Sequence, residues 1–300
     1  MKEQKFGVEI ELTGITRAKA ADVIAKYFGT EKTYDGGVYS TYSVKDRQGR
    51  TWKAMRDSSI DARNKNGEVA SEAYQTEIVT PICGYEDIAD IQEILRQLRH
   101  KGAIANKSCG IHIHVDARKQ TAQSLRNLVN IMVAKEDLLF KALGVTENRA
   151  MRWCKKAEPQ FITDINRLKP KTRSAIENLW YGEDTRSYHR HYDDSRYHAL
   201  NLHSLWQGKG IEFRCFNSTT HAGKLKTYIQ LCLAICNQAM NQRGSSARKT
   251  ETTNEKYTFR TWLLRMGMIG DEFDTARKFL LENLSGDIAF RNGRPHRAAA

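Results

Sequence analysis

The sequence predicts an α+β fold in which several strands lie side by side in one sheet, with helices over one face and a polar, concave surface on the other. Three observations carry this expectation. Phe6 to Leu12, FGVEIEL, alternates, with Phe6, Val8, Ile10 and Leu12 on one face and Glu9 and Glu11 on the other. The same construction returns at Gly110 to Asp116, GIHIHVD, and at Gly210 to Phe216, GIEFRCF. Between these stretches run helices with one apolar stripe each, the covering layer such a sheet needs.

The composition frames what the fold can be used for. Three hundred residues suffice for one large core or for two domains. With 40% apolar and 28% charged residues, the chain has the composition of a soluble globular protein. It has no run of 18 apolar residues, so no membrane span is expected. The N-terminus lacks the apolar core of a signal peptide and enters a strand almost at once, so a cytoplasmic product is expected. Six scattered cysteines without a CxxC pair predict reduced, mostly buried thiols and no structural zinc. A net charge of +13 permits nucleic acid or another polyanion as partner and favours anionic small substrates. It does not choose among them, and no DNA- or RNA-binding signature is present.

Taken in order, residues 17 to 28 read as an amphipathic helix with Ala20, Val23, Ile24 and Tyr27 inward and Gly29 as its stop. Residues 37 to 44 and 51 to 56 read as strands joined by a turn through Asp46 to Gly49. A polar loop follows over 61 to 70, then a strand over 74 to 80, YQTEIVT, with Glu77 opposite Ile78. Residues 85 to 100 form a helix with Ile88, Ile91, Ile94, Leu95 and Leu98 on one stripe, and another helix spans about 121 to 143. Residues 150 to 195 are mixed, basic and aromatic, with a helix near 172 to 180 and a polar loop carrying Arg186, His189, Arg190 and His191. Strands are expected over 196 to 203 and 210 to 216, with a hairpin-like link at Trp206 to Lys209, and then a long helix over 221 to 240. Residues 242 to 256 read as a linker, followed by helices near 258 to 267 and 271 to 283 and a basic, frayed tail beyond Arg291.

Several strands therefore offer functional groups opposite their apolar rows: Glu9 with Glu11, Glu77, His112 with His114, and Glu212 with Arg214. On one strand, Glu9 and Glu11 sit about 7 Å apart, a span that one or two divalent metals bridge. Each piece has a plain reading. Glu9 and Glu11 fit a solvated strand face, the HxH pair fits surface histidines, and Glu212 with Arg214 fits a surface ion pair. Asp57 fits an ordinary turn aspartate, and Arg186, Arg190 and Arg196 fit a solvated loop. The joint pattern is far rarer by chance than any member. If these strands adjoin, so many carboxylates repel one another unless cations neutralise them. Oxygen-rich sites with a histidine suit Mg²⁺ or Mn²⁺ better than zinc.

ExE on the first strand, Gly110-Ile111-His112-Ile113-His114, and the late Ile211-Glu212-Phe213-Arg214 resemble, in that order, the glutamine synthetase-like carboxylate–amine ligases. The nearer resemblance is to their amidoligase branch, whose members carry FGxExE, DxS, ExVTP, CGxHxHV and a late ExR. It covers residues 5 to about 240. The resemblance implies a curved, largely antiparallel sheet forming a glutamine synthetase-like catalytic funnel with helices outside. It implies ATP-dependent amide formation through an acyl phosphate, with ATP and two Mg²⁺ or Mn²⁺ ions as cofactors, and a carboxylate and an amine as substrates, either of them able to be part of a macromolecule. By motif, it places metals on Glu9, Glu11, Glu77, His112 and Glu212, and leaves His114 as a ligand or as a contact to ATP or substrate. Arg214 and Arg196 would hold the phosphoryl groups, Asp57 and Ser59 would lie near the amine or acyl substrate, and Asn201 near the nucleotide.

The chain is shorter than full glutamine synthetases, so their ring assembly and their ammonia site are not implied. Residues 1 to 241 are expected to form the catalytic domain, and 242 to 300 a linker with a helical extension. Two other readings stay open from the residues alone. One is a basic nucleic-acid-associated protein with a structural or vestigial metal site. The other is a metal-dependent hydrolase using HxH.

Overall fold

Alternation makes Phe6–Leu12 a strand, β1, with its apolar row buried and its glutamates on the opposite face. The computed structural model describes residues 1–182, 190 and 192–292. After β1 come α1 (Arg17–Phe28), β2 (Lys32–Gly36), β3 (Thr41–Lys45), β4 (Thr51–Met55), β5 (Thr76–Val79) and α2 (Ile88–His100). The middle of the chain holds β6 (Gly110–Val115), α3 (Ala122–Leu143), α4 (Glu147–Trp153), α5 (Pro159–Leu168) and α6 (Arg173–Tyr181). The last part holds β7 (Leu200–Asn201), α7 (His203–Trp206), β8 (Ile211–Asn217), α8 (Ala222–Asn241), α9 (Glu255–Arg265) and α10 (Asp274–Leu281).

The strands form one open sheet in the order β2-β3-β4-β5-β1-β6-β8-β7. Every pairing is antiparallel. The earliest strand thus lies in the interior of the sheet, between β5 and β6. Helices cover the face that carries Phe6, Val8, Ile10 and Leu12: α1 packs on β3 and β4, α8 on β6, and α3 on β8. Each fully buried Ile, Leu or Phe there contributes roughly 1.5–3 kcal/mol. Local chemistry sets the helix ends. The Thr16 hydroxyl accepts from Lys19 N at the start of α1, and Gly29, at φ 71°, supplies the left-handed residue that ends it. In the β3–β4 turn, Asp46 Oδ1 accepts from the backbone N–H groups of Gln48 and Arg50.

The departures from expectation share a cause: side-chain or cross-strand bonds that periodicity does not encode. β2 is a polar edge strand, KTYDG, defined by its pairing to β3 rather than by an apolar row. The strand expected over 196 to 203 shrinks to Leu200–Asn201. Asp193 caps a 3₁₀ turn before it, and the helical turn α7 follows it, replacing the first part of the expected hairpin link. The helices α4 and α5 fall in a segment without a clear stripe; Pro159 opens α5 at its first turn. On β8, Arg214 and Cys215 together face His112, a bulge that brings both Cys215 and Phe216 into the core.

Residues 242–254 form no helix or strand but lie along α3, where Ser245 Oγ donates to Asn127 O and Thr250 N to Ala134 O. Phe259, Leu263 and Leu280, on α9 and α10, join the same apolar cluster as β1. All six cysteines are buried and free. Among the described residues no helix is long and apolar enough to cross a membrane. Arg186, His189, His191 and residues 293–300 of the basic tail lie outside the described residues.

Candidate active site

Strand register assembles the site from segments far apart in sequence. Glu9 stands opposite His112, and Glu11 opposite Glu77. His114 stands opposite Glu212 on β8, which in turn faces Asn201 on β7. All these side chains lie on the sheet face away from the core helices. Glu9 Oε2 is 3.0 Å from His112 Nδ1, and Glu9 Oε1 is 3.2 Å from His114 Nε2. His112 also lies 3.6 Å from Glu11 Oε1 and 3.6 Å from Glu212 Oε1. Gly110 N donates to Glu11 Oε2 at 2.6 Å, Asn201 Nδ2 to Glu212 Oε2 at 2.6 Å, and Arg214 Nη1 to Glu212 Oε1 at 2.5 Å. Asp57 Oδ1 accepts from Ser59 N in a turn, as the plain reading expected, and one of its carboxylate oxygens converges with Glu11 and Glu77, which that reading did not.

The charges are unevenly compensated. Burial pushes the Glu9 carboxyl up, but His114 and His112 outweigh it and hold it well below the ordinary range. Burial acts likewise on Glu212, where Arg214 and the two imidazoles win and hold it at about 2. Burial lowers His114, and Glu9 and Glu212 more than reverse that, so its pKa is raised. Glu11 and Glu77 lack such compensation. Burial pushes Glu11 up and Asp57 adds to it, although His112 opposes. Burial, then Glu9, Glu11 and Asp57, push Glu77 well above the carboxylate range.

These residues fit divalent cations. Three sets bring one ligand atom each to within 4.8 Å of one another: Glu9, His114 and Glu212; Glu9, Glu77 and His112; and Glu11, Asp57 and Glu77. The donors are carboxylate oxygens with imidazole nitrogens, the combination suited to Mg²⁺ or Mn²⁺. His114 Nε2 lies 3.2 Å from Glu9 Oε1, so an imidazole nitrogen and a carboxylate oxygen meet at the same place.

A cavity of about 1080 Å³ opens over Glu9, Glu11, Glu77, His112 and His114. Its size reaches the upper end of ligand cavities, roughly 300–1,000 Å³. Asp57, Ser59, Arg196 and Arg214 also border it, whereas Glu212 and Asn201 are not among its described lining residues. The Arg196 guanidinium packs over the Tyr192 and Tyr197 rings, at 5.2 and 5.8 Å. Lys53, Arg196 and Lys209 border the cavity without a carboxylate partner among the described residues.

Arg149, Ser204 and Gly110 have roles at the site that motif reading did not give them. Arg149 comes from α4, where no stripe marked a helix. Its guanidinium is buried against the β6 and β8 ends and donates to Cys109 O and Phe216 O. It passes directly over Gly110, where a Cβ would stand 2.1 Å from Arg149 Nη2. Gly110→Ala is therefore expected to cost about 1–3 kcal/mol in urea unfolding, by overpacking a guanidinium that its two carbonyl partners hold in place. An unchanged midpoint would show that Arg149 moves aside freely.

Among curated proteins, no relative matches the chain. Residues 2–236 match the family described as "Putative amidoligase enzyme". That match spans every strand and takes in Glu9, Glu11, Glu77, His112, Glu212 and Arg214. With well over half of its length matched, the chain belongs to the amidoligase enzyme family.

Proposed function

We propose that the protein is an ATP-dependent carboxylate–amine ligase that works through an acyl phosphate and releases ADP. One observation carries the reading: buried carboxylates and imidazoles from β1, β5 and β6 line a cavity walled by arginines, with Glu212 of β8 converging on Glu9 and His114, in a chain of the amidoligase family. Glu9, Glu11, Glu77, His112 and Glu212 would hold two divalent cations, Mg²⁺ or Mn²⁺. When bound, such cations neutralise a triphosphate and the charge that develops as its terminal group departs.

The chain's own residues do the rest. Arg214, anchored to Glu212, and Arg196, held between tyrosine rings, place fixed positive charge along the cavity wall where a phosphoryl group travels. The substrate carboxylate takes the γ-phosphoryl group. The amine then attacks the acyl carbon, loses a proton and displaces phosphate. Asp57 and Ser59, on the cavity wall near Glu11 and Glu77, are assigned to the amine or acyl substrate. Either substrate can be part of a macromolecule. We assign catalysis to residues 1–241 and an accessory role to 242–300.

A screen of carboxylate and amine pairs for ADP release tests this. ADP is expected only with Mg²⁺ or Mn²⁺ and a carboxylate present. Turnover with water and no ATP would favour a hydrolase instead. Salt-dependent nucleic-acid binding that survives loss of Glu9 and Glu11, with no ADP formed, would favour a nucleic-acid-associated protein.

A further inference from the structure

The β7–α7 corner holds two buried polar side chains that the proposed chemistry leaves without a function. Asn201 and Ser204 are 2% and 4% exposed, and neither is among the described residues that border the cavity. Both reach groups that do the binding. Asn201 Nδ2 donates to Glu212 Oε2 at 2.6 Å. Ser204 Oγ lies 3.2 Å from His114 Nδ1. The two are also tied to each other, since Ser204 N donates to Asn201 Oδ1 at 3.3 Å. On the other side of the His114 ring, Nε2 lies 3.2 Å from Glu9 Oε1 and converges with Glu9 and Glu212.

We propose that Ser204 and Asn201 are positioning residues for a divalent cation held by Glu9, His114 and Glu212. Ser204 Oγ accepts the His114 Nδ1–H. A neutral imidazole has one N–H and one lone pair, so this bond leaves the lone pair on Nε2, facing Glu9 and Glu212. Were the tautomer reversed, Nε2–H would point at the cation and the set would lose a ligand. Asn201 does the equivalent for Glu212. It bonds Oε2 while Arg214 holds Oε1, so the carboxylate plane cannot turn. His114 is thereby a ligand, not a substrate contact, and Asn201 acts through Glu212, not on a nucleotide. The corner that replaces the expected long strand is the support of half the site.

This inference rests on the metal-dependent reading above, and Mn²⁺ titration of the full chain tests the two separately. Calorimetry and electron paramagnetic resonance with Mn²⁺ alone report each class of bound ion. Ser204→Ala is expected to weaken one class about 10–100-fold, the loss typical of an outer partner of a ligand. It is expected to leave the other class unchanged. In a His114→Ala background, Ser204→Ala should add nothing, because the serine acts only through that ring. Wild-type affinity in Ser204→Ala overturns the positioning role alone. So does an equal loss in the His114→Ala background, or an equal loss in both classes of bound ion. Absence of Mn²⁺ binding by the unaltered protein overturns the metal-dependent reading with it.

Discussion

Glu77→Gln is expected to raise the melting temperature of the metal-free protein while lowering metal-dependent ADP formation at least about 100-fold. The two effects have one origin. Glu77 is buried beside Glu9, Glu11 and Asp57, and its pKa stands well above the ordinary 4.5. The folded protein therefore holds this proton more tightly than the unfolded chain does. For a carboxyl raised in this way, the stabilisation is complete below the unfolded pKa of 4.5 and is lost as pH rises through the folded value. Metal-free wild type should thus lose stability on going from mildly acidic to neutral pH, and Glu77→Gln should flatten that fall. Bound Mg²⁺ should reverse it in the wild type, since a ligand at 100 times its Kd adds about 2.7 kcal/mol. Scanning calorimetry between mildly acidic and neutral pH, with and without Mg²⁺, measures all of this. A Glu77→Gln protein with lower metal-free stability and full turnover would contradict the account.

Glu212→Ala is expected to be the most destabilising change in the site, at about 3–5 kcal/mol. Arg214 is 5% exposed and Asn201 2%, and both lose their bond to this carboxylate. The cost arises from leaving a buried guanidinium unpaired, not from the intrinsic worth of the ion pair. The double variant Glu212→Ala/Arg214→Met should accordingly recover more than half of the loss in chemical denaturation. A double variant no more stable than the single one would place the cost elsewhere, with the alternating Phe213 and Ile211 row the next place to look.

The sheet's functional strands were legible because their alternation is strict. Residues 6 to 12 and 110 to 116 each present an apolar row and an ionisable row, and the structure keeps those rows on opposite faces. The major helices were legible from their stripes and caps, as in α1 and α2. What local pattern could not supply was register and sheet order. Nothing within FGVEIEL says that Glu9 will face His112 or that Glu11 will face Glu77; long-range pairing decides it. Residue-level support was equally hidden. Ser204 matters because a strand ends early and turns into a helix, and Arg149 because a glycine 39 positions earlier lets it pass. Each is a tertiary event, invisible to a window of ten residues. The resemblance supplied the ligase chemistry, and the open antiparallel sheet supplies a surface on which it can occur.

Crystals grown with Mn²⁺ and a non-hydrolysable ATP analogue, with anomalous data collected at the manganese edge, test the central proposal most directly. The account predicts manganese peaks within bonding distance of Glu9, His112 or His114, and Glu77 or Glu212, with the analogue's phosphates between those peaks and Arg214. Manganese and nucleotide bound elsewhere, with the carboxylate and imidazole cluster hydrogen-bonded only to itself, would contradict it.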